Sequence, residues 1–472
     1  MTGADLAALA PLLVIASTAI LVMIGIAIRR NYALVVTLTL AGLAVAFISI
    51  FAAPAPRRIT SLFVIDGFAL FYFGLIIASA ALVALISFQY FRRHTGDREE
   101  LYLLLLLATL GCAVLAASAH FISFLLGLEI LSVSLYGMVA YSNDRVHVLE
   151  AGVKYLVLAS ASAGFLIFGA ALIYCGTGTM EFANLRSLPP GDSSFQLLTA
   201  GMVLTITGIG FKLGIVPFHL WIPDVYQGAP APVTAYVATT SKTAVMALLV
   251  RYAYLSGALS HRAVFVVFAV IAIASMVAGN LLALRQQSIK RILAYSSIAH
   301  FGYILVGFLS VGSSAIEAVT FYLVSYTVAI LSAFGIVAIL SNADSDADNL
   351  DFYSSLFWRR PVVATFLTAA MLSLAGIPAT IGFIGKFYVL SAAAESGAWP
   401  LMIVLATTSV IGLFYYLRIV VKLYESPFRY ETPMSAISPI SFLPVAVAGA
   451  LVVWVGIFPM QVLGWIRAAM GQ

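Results

Sequence analysis

Six lysines occur in 472 residues, and four of them, Lys154, Lys212, Lys242 and Lys386, fall inside apolar runs long enough to cross a membrane. Almost every arginine, by contrast, sits near the end of such a run. Arginine stays charged at any working pH, whereas a buried lysine can lose its proton near neutrality. A fixed structural cation can be either type, but a titrating one must be lysine. The deepest carboxylate is Glu129, in "FLLGLEILSVSLYG". Ionised and alone in hydrocarbon it would be costly, so it needs a cationic partner. Lys212 is the first choice and Lys154 the second. His219, two residues beyond Pro217, and His300, in "YSSIAHFGY", are candidate proton relays. "ATTSKTAVMA" places three hydroxyls, Thr239, Thr240 and Ser241, just before Lys242.

Each residue also has a plainer reading. Glu129 and a lysine would form a fixed ion pair, either histidine would be a satisfied core group, and Lys212 would snorkel past a proline kink. Snorkelling fits poorly, because Lys212 and Lys386 lie well away from the ends of their runs. Taken together, the set points to titration inside a membrane. Moving one charge through 100 mV corresponds to about 2.3 kcal/mol. One pKa unit corresponds to about 1.4 kcal/mol. A swing of ~2–3 units at a buried lysine is therefore on the scale of a membrane potential.

The elements that hold these residues are membrane helices. The chain is 62% hydrophobic and 9% charged, a balance that excludes a soluble domain. About fourteen apolar runs of spanning length are separated by short breaks, which leaves no room for an extramembrane domain. "MTGADLAALA" carries Asp5 and no basic residue, so the first run is expected to stay as a membrane helix. Placing the N-terminus outside puts fourteen Lys and Arg in the inner breaks and six in the outer ones, Arg251 among the outer six. That bias favours both termini on the outer side. Cys112 and Cys175 are far apart and are expected to be small core residues. No dinucleotide fingerprint, phosphate loop or haem motif is present, so no cofactor-binding or metal site is expected in this chain. The run "DSDADNLD" at 344–351 suggests a calcium loop but has Asn349 at the sixth position and Ser355 at the twelfth, so a solvated loop is expected.

Short matches recur at a nearly constant offset. "EAGVKYLV" at 150–157 matches "EAVTFYLV" at 317–324, and "ATTS" at 238–241 matches 406–409. The interval spans five helices, an odd number, so the second copy must cross inverted. The expected fold is an all-α polytopic membrane protein with inverted repeats in helices four to eight and nine to thirteen, each containing a broken helix. The expected division is 1–98 for three N-terminal helices, 99–258 and 262–424 for the repeats, and 425–472 for the last helix. The breaks are expected at Pro217 in the seventh helix and at Gly376 and Pro378 in the twelfth.

"FKLGIVPFHLWIPDVYQGAPAPVTAYVATTSKTAV", "GLEILSVSLYGMVAY", "RQQSIKRILAYSSIAHFGYILVG" and "LAGIPATIGFIGKFYVL" resemble the antiporter-like membrane subunits of proton-pumping NADH–quinone oxidoreductase, respiratory complex I, and the N type most closely. The same family includes the large subunits of multisubunit sodium/proton antiporters. "PDVYQGAPAPVTA" is N-like, and Lys386 stands where M-type chains carry glutamate. The resemblance implies that Glu129, Lys212, Lys242 and Lys386 form a polar axis for proton translocation, with Lys154 the extra lysine of N-type chains. It also implies that NADH, FMN, iron–sulfur clusters and quinone are handled by other subunits. The expected partners are an M-type neighbour, small K-, J- and A-type membrane subunits, and lipids, but no nucleic acid. The expected location is a bacterial inner membrane with periplasmic termini. A sodium/proton antiporter subunit is the alternative. Hard cations want oxygen ligands, however, and the deep residues here are mostly lysines.

Overall fold

The computed structural model describes residues 2–93, 98–142, 146–187, 193–310, 312–342, 345–426 and 437–471. In chain order its main helices are α1 Ala10–Ile28, α2 Tyr32–Ala52, α3 Gly67–Arg92, α4 Glu100–Ala117, α5 Phe121–Val139, α6 Val146–Thr177 and α7 Ser193–Leu213. Next come α8 Trp221–Gly228, α9 Ala231–Ser256, α10 Arg262–Leu284, α11 Ile289–Leu309 and α12 Ser313–Leu340. The last are α13 Pro361–Ala375, α14 Ile381–Glu395, α15 Trp399–Tyr424, α16 Pro439–Ile457 and α17 Met460–Ala469. Among the described residues thirteen helices are long and apolar enough to span a membrane, and the split pair α13 and α14 supplies a fourteenth crossing.

Helix is the default because backbone polar groups in lipid must be paired within their own segment. Tripeptide "SAH" at 118–120 still divides α4 from α5. Ala119 donates its N–H to Leu62 at 2.9 Å and accepts from Phe182 at 3.0 Å, so strand-like pairing replaces the helical bonds there. Leu62 lies in the turn of a small hairpin, β1 Arg57–Ile59 with β2 Phe63–Ile65, which the sequence reading did not anticipate.

Three helices form the centre. α9 is buried from Ala231 to Ala253, and α11 and α12 are mostly buried. Outer helices such as α1 and α15 instead expose apolar side chains, Leu21 and Met23 or Val410 and Phe414, as expected where lipid is the neighbour. Lys242 lies on α9 and His300 on α11, so the polar residues ride on the innermost elements.

Both expected helix breaks are present, but glycine rather than proline makes the turn. α7 stops at Leu213, and Gly214 takes a left-handed φ of 68°. Pro217 lies beyond, in the turn leading to α8. α13 stops at Ala375, and Gly376 takes φ 86°. Pro378 lies in the following turn and Ala379 is itself left-handed at φ 68°. A proline in a helix removes one bond, whereas a left-handed residue reverses the chain and exposes several carbonyls.

Several expectations are corrected. Arg251 is not in a break: it lies within α9, is buried, and grips Asp66 through two bonds of 3.0 and 2.7 Å. Asp66 also caps α3, accepting from Ala69 at 2.8 Å. Cys112 is buried, but Cys175 is exposed on the outer face of α6 and is not a core residue. The acidic run is a solvated loop only in part: Asn349 and Asp351 are exposed, but other residues are tied to the start of α11. Asp348 accepts from the Ser288 hydroxyl and from the Lys290 N–H at the start of α11, and Ile289 donates to its carbonyl at 2.8 Å. Arg145, Arg429 and Asp344 lie outside the described residues.

Gly214 sits where a Cβ would collide with Ile222. Gly214→Ala should cost about 1–2 kcal/mol from the left-handed backbone alone. Thermal unfolding of the assembled protein should show a lower midpoint; an unchanged one would mean that the break does not depend on this conformation.

Candidate functional site

The site is built where the two breaks meet the central helices. Lys212 is the penultimate residue of α7 and is buried. Its depth is set by α5: its ammonium donates to Ser132 Oγ at 2.6 Å, and Ser132 is the twelfth of nineteen residues in α5. Glu129 lies one turn earlier on the same helix. Its Oε1 is buried and has no hydrogen-bond partner. Among the described residues neither expected partner bonds it directly, although Glu129 still acts on the Lys212 charge through space. Lys212 is taken by Ser132. Lys154 lies two turns into α6, half-exposed, and pairs with Glu150 at 2.8 Å and Asp224 at 2.9 Å. Lys154 is therefore not a deep intramembrane charge, and it belongs to a polar network at one end of the bundle that also holds Arg291.

Lys242 follows a single wide turn of π-helix, Val237–Ser241, within α9. Such turns arise when an extra residue is accommodated in a helix, and they concentrate at functional sites. The expected hydroxyl-rich turn is this one. Thr239 bonds back to Ala235 at 2.6 Å, while Thr240 Oγ1 is buried without a partner. The Lys242 ammonium donates to Ser297 Oγ at 2.8 Å and lies over the rings of Phe301 at 4.9 Å and Tyr226 at 5.4 Å. It also approaches the first break, 3.6 Å from where a Cβ on Gly214 would sit.

Ser297 leads on to His300. Tyr326 donates to Ser297 at 2.7 Å, and its ring lies 5.6 Å from that of His300. His300 Nδ1 bonds Tyr322 at 2.9 Å and Nε2 bonds Tyr416 at 3.0 Å. Both ring nitrogens are thus engaged with hydroxyls, which can donate or accept, so either tautomer is satisfied. Its ring also meets Tyr303, over which the Lys386 ammonium sits at 5.3 Å. Lys386 donates to the carbonyls of Leu374 at 3.1 Å and Ala375 at 2.8 Å, and to Ser409 Oγ at 2.7 Å. Those carbonyls are the open end of α13, where a cation is favoured. Ser409 is the last residue of the second "ATTS", and the first "ATTS" ends beside Lys242.

The structure thus lines up the buried Lys212, Lys242, His300 and Lys386, with the half-buried Glu129 one turn from the serine that holds Lys212. Lys154 is left outside this row. His219 lies in the turn after Gly214 with Nδ1 buried and unpartnered, and it joins none of the lysine contacts described above. Sequence reasoning missed the hydroxyls that hold the lysines, and it missed Lys290, placed in a break but in fact buried on α11 and paired with Asp346 at 2.6 Å. One signal was available. Lys290, Ser297 and His300 are spaced by seven and three residues, which puts them on one face of a helix.

Comparison with known proteins now bears on this geometry. The family described as "NADH:quinone oxidoreductase/Mrp antiporter, TM" matches residues 118–412, which include every member of the row. The chain belongs to this family. It is 43% identical to NADH-quinone oxidoreductase subunit N of Methylococcus capsulatus, over 98% of this chain and 95% of that one. Among solved structures, a chain of respiratory complex I from Thermus thermophilus is 32% identical, with a TM-score of 0.83 over 96% of this chain and 98% of that one. A chain of the Mrp complex from a Dietzia species has a TM-score of 0.86 at 20% identity, over 99% and 97%, and so shares the fold. The overall fold is thus shared with these proteins, and in this chain Gly214 and Gly376 make its two helix breaks.

Ser132→Ala removes the hydroxyl that holds Lys212, and Ser134→Ala removes one that bonds only backbone, to Ile130 at 2.7 Å. Losing a hydrogen bond to a charged group costs about 1.5–3 kcal/mol. Ion translocation by the assembled complex should fall in the first variant and not in the second. Equal effects would deny Ser132 a specific role.

Proposed function

We propose that this chain is the antiporter-like, proton-translocating membrane subunit of an NADH–quinone oxidoreductase, and that the row from Glu129 to Lys386 is its proton path. The observation that carries the reading is the chemistry of the buried cations. Lys212, Lys242 and Lys386 are each held by hydroxyls, carbonyls or aromatic faces. Among the described residues no carboxylate bonds any of them directly. A lysine held by neutral groups can gain or lose a proton without stranding a counter-ion. Each ammonium gives its proton to the next neutral group in the row and is reprotonated from the one before. His300 serves between Lys242 and Lys386, because its two nitrogens face two hydroxyls. Charge on Glu129 biases Lys212 from one turn away along α5.

Driving energy comes from NADH oxidation and quinone reduction in other subunits, which hold the flavin and iron–sulfur clusters. Among the described residues no three His, Cys, Asp or Glu side chains converge as metal ligands would. The chain sits in a bacterial inner membrane with both termini periplasmic, between an M-type neighbour and small K-, J- and A-type subunits. The two halves, 99–258 and 262–424, act as inverted units about the axis. Transport of sodium within an Mrp-type assembly is the second reading, favoured by the shared fold. It fits the row less well, since lysines repel a cation and few charged oxygens are present.

Lys212→Ala in the intact complex tests the proposal. NADH-driven acidification of inverted membrane vesicles should fall by about a hundredfold, the low end of what a positioned proton-transfer group contributes. Assembly should be retained. Unchanged acidification with loss of sodium tolerance in the cells would replace this reading with the antiporter one.

A further inference from the structure

Beyond the row, one buried pair has no part in the path described so far. Lys290 is 1% exposed, near the start of α11, and bonds Asp346 Oδ2 at 2.6 Å. Asp346 Oδ1 accepts from the Tyr90 hydroxyl at 2.6 Å. Asp346 also forms part of the wall of a cavity of about 400 Å³ that holds three more carboxylates, Glu150, Asp224 and Asp348, together with Lys154 and His147. This cavity lies at the end of the bundle where α3 finishes, the end that gathers Arg93, Arg418 and Lys422 against the Ser341, Leu284 and Asp351 oxygens.

Lys290 also points the other way. Its ammonium donates to the carbonyl of Ala229 at 2.7 Å, the residue that ends α8. Three residues earlier on α8, the Tyr226 ring lies against the Lys242 ammonium. The Tyr226 hydroxyl is fully buried and has no hydrogen-bond partner. On α11, Ser297 lies two turns from Lys290 on the same face, ~10.5 Å along the axis, and it accepts from Lys242. Two independent elements, α8 and α11, therefore run from the paired lysine to the unpaired one.

We propose that this carboxylate-lined cavity is the inlet by which protons reach the row, with the Lys290–Asp346 pair as its gate and Tyr226 and Ser297 as the stations leading to Lys242. The proposal rests on the proton-translocation reading above. Asp346 takes a proton from solvent in the cavity, which ends its pairing with Lys290. The freed ammonium stays protonated and shifts towards the Ala229 carbonyl. The proton then passes from the Asp346 carboxyl to neutral Lys242, leaving a carboxylate and an ammonium, and the pair with Lys290 re-forms. Charge is conserved, and no other reactant is needed.

The test uses the whole complex. Asp346→Asn removes the gate's titrating group. Asp351→Asn removes a carboxylate from the same acidic run that is largely exposed, outside the cavity, and paired to Lys422. Removing one partner of a buried pair strands the other, so the double variant Asp346→Asn with Lys290→Met, which strands no charge, is measured beside it. Turnover of NADH with quinone should fall by about a hundredfold in Asp346→Asn and in the double variant, and stay near normal in Asp351→Asn. Formate, a small weak acid that can enter the cavity, should restore turnover in the first two. Normal turnover in the double variant would overturn the inlet. So would a loss that formate does not restore, which would make the pair a structural brace. Lys242→Ala is the separate control: if it pumps normally, the proton path itself fails, whatever Asp346 does.

Discussion

The structure depends on one constraint: a charge or an interrupted backbone at the centre of the bundle must find all its partners within the protein. Lipid around the bundle offers no hydrogen-bond partners. Breaking α7 and α13 frees carbonyls and N–H groups, and burying lysines on α7, α9 and α14 creates donors. The two deficits meet. Lys386 caps the carbonyls that the second break leaves open. At the first break the chain reverses at Gly214 with Lys212 just before it and the Lys242 ammonium close by. Fold and polar row are thus a single solution, since neither the broken helices nor the buried lysines would be tolerable alone.

Cations at the two ends and in the middle are paired by different rules. At the ends they meet carboxylates: Arg251 with Asp66, Arg467 with Glu317, Lys154 with Glu150 and Asp224. Such pairs fix charge, because losing either proton state strands its partner. In the middle, lysines meet hydroxyls, carbonyls and rings, which accept a donor of either charge state at modest cost. That contrast explains why Lys154 behaves as an anchor although it shares a residue type and a helical setting with the others. It also sets Lys290 apart as a buried lysine paired in the manner of the ends but seated against a central helix.

Fold conservation across respiratory and Mrp assemblies has a physical basis in the same constraint. An inverted arrangement with one interrupted helix in each half offers two helix ends at mid-depth, and helix ends are places where ions and protons can be held. In this chain the side chains placed against those ends are lysines backed by serine and tyrosine.

The sequence by itself determined the helices, because a run of twenty apolar residues has no stable alternative in lipid. It also determined that Lys212, Lys242 and Lys386 are buried, since each lies within such a run, and that the breaks fall near 214–217 and 376–379, where glycine and proline cluster. It did not determine partners. Glu129 was expected to meet Lys212 or Lys154, but Ser132 bonds the first, which Glu129 influences only through space, and Asp224 bonds the second. Lys290 was placed in a connection and Arg251 in another, yet both are buried, because a run's hydropathy says how far a helix extends and nothing about what packs over its end. The acidic run at 344–351 looked like solvent-facing loop, and only its return to the start of α11 supplies Asp348 as a cap and Asp346 as a counter-ion. The pairings of Lys212, Lys242 and Lys290 join residues more than fifty positions apart, and hydropathy and periodicity act within a few turns. Tertiary structure alone decides such contacts, since they depend on which helices pack and at what height.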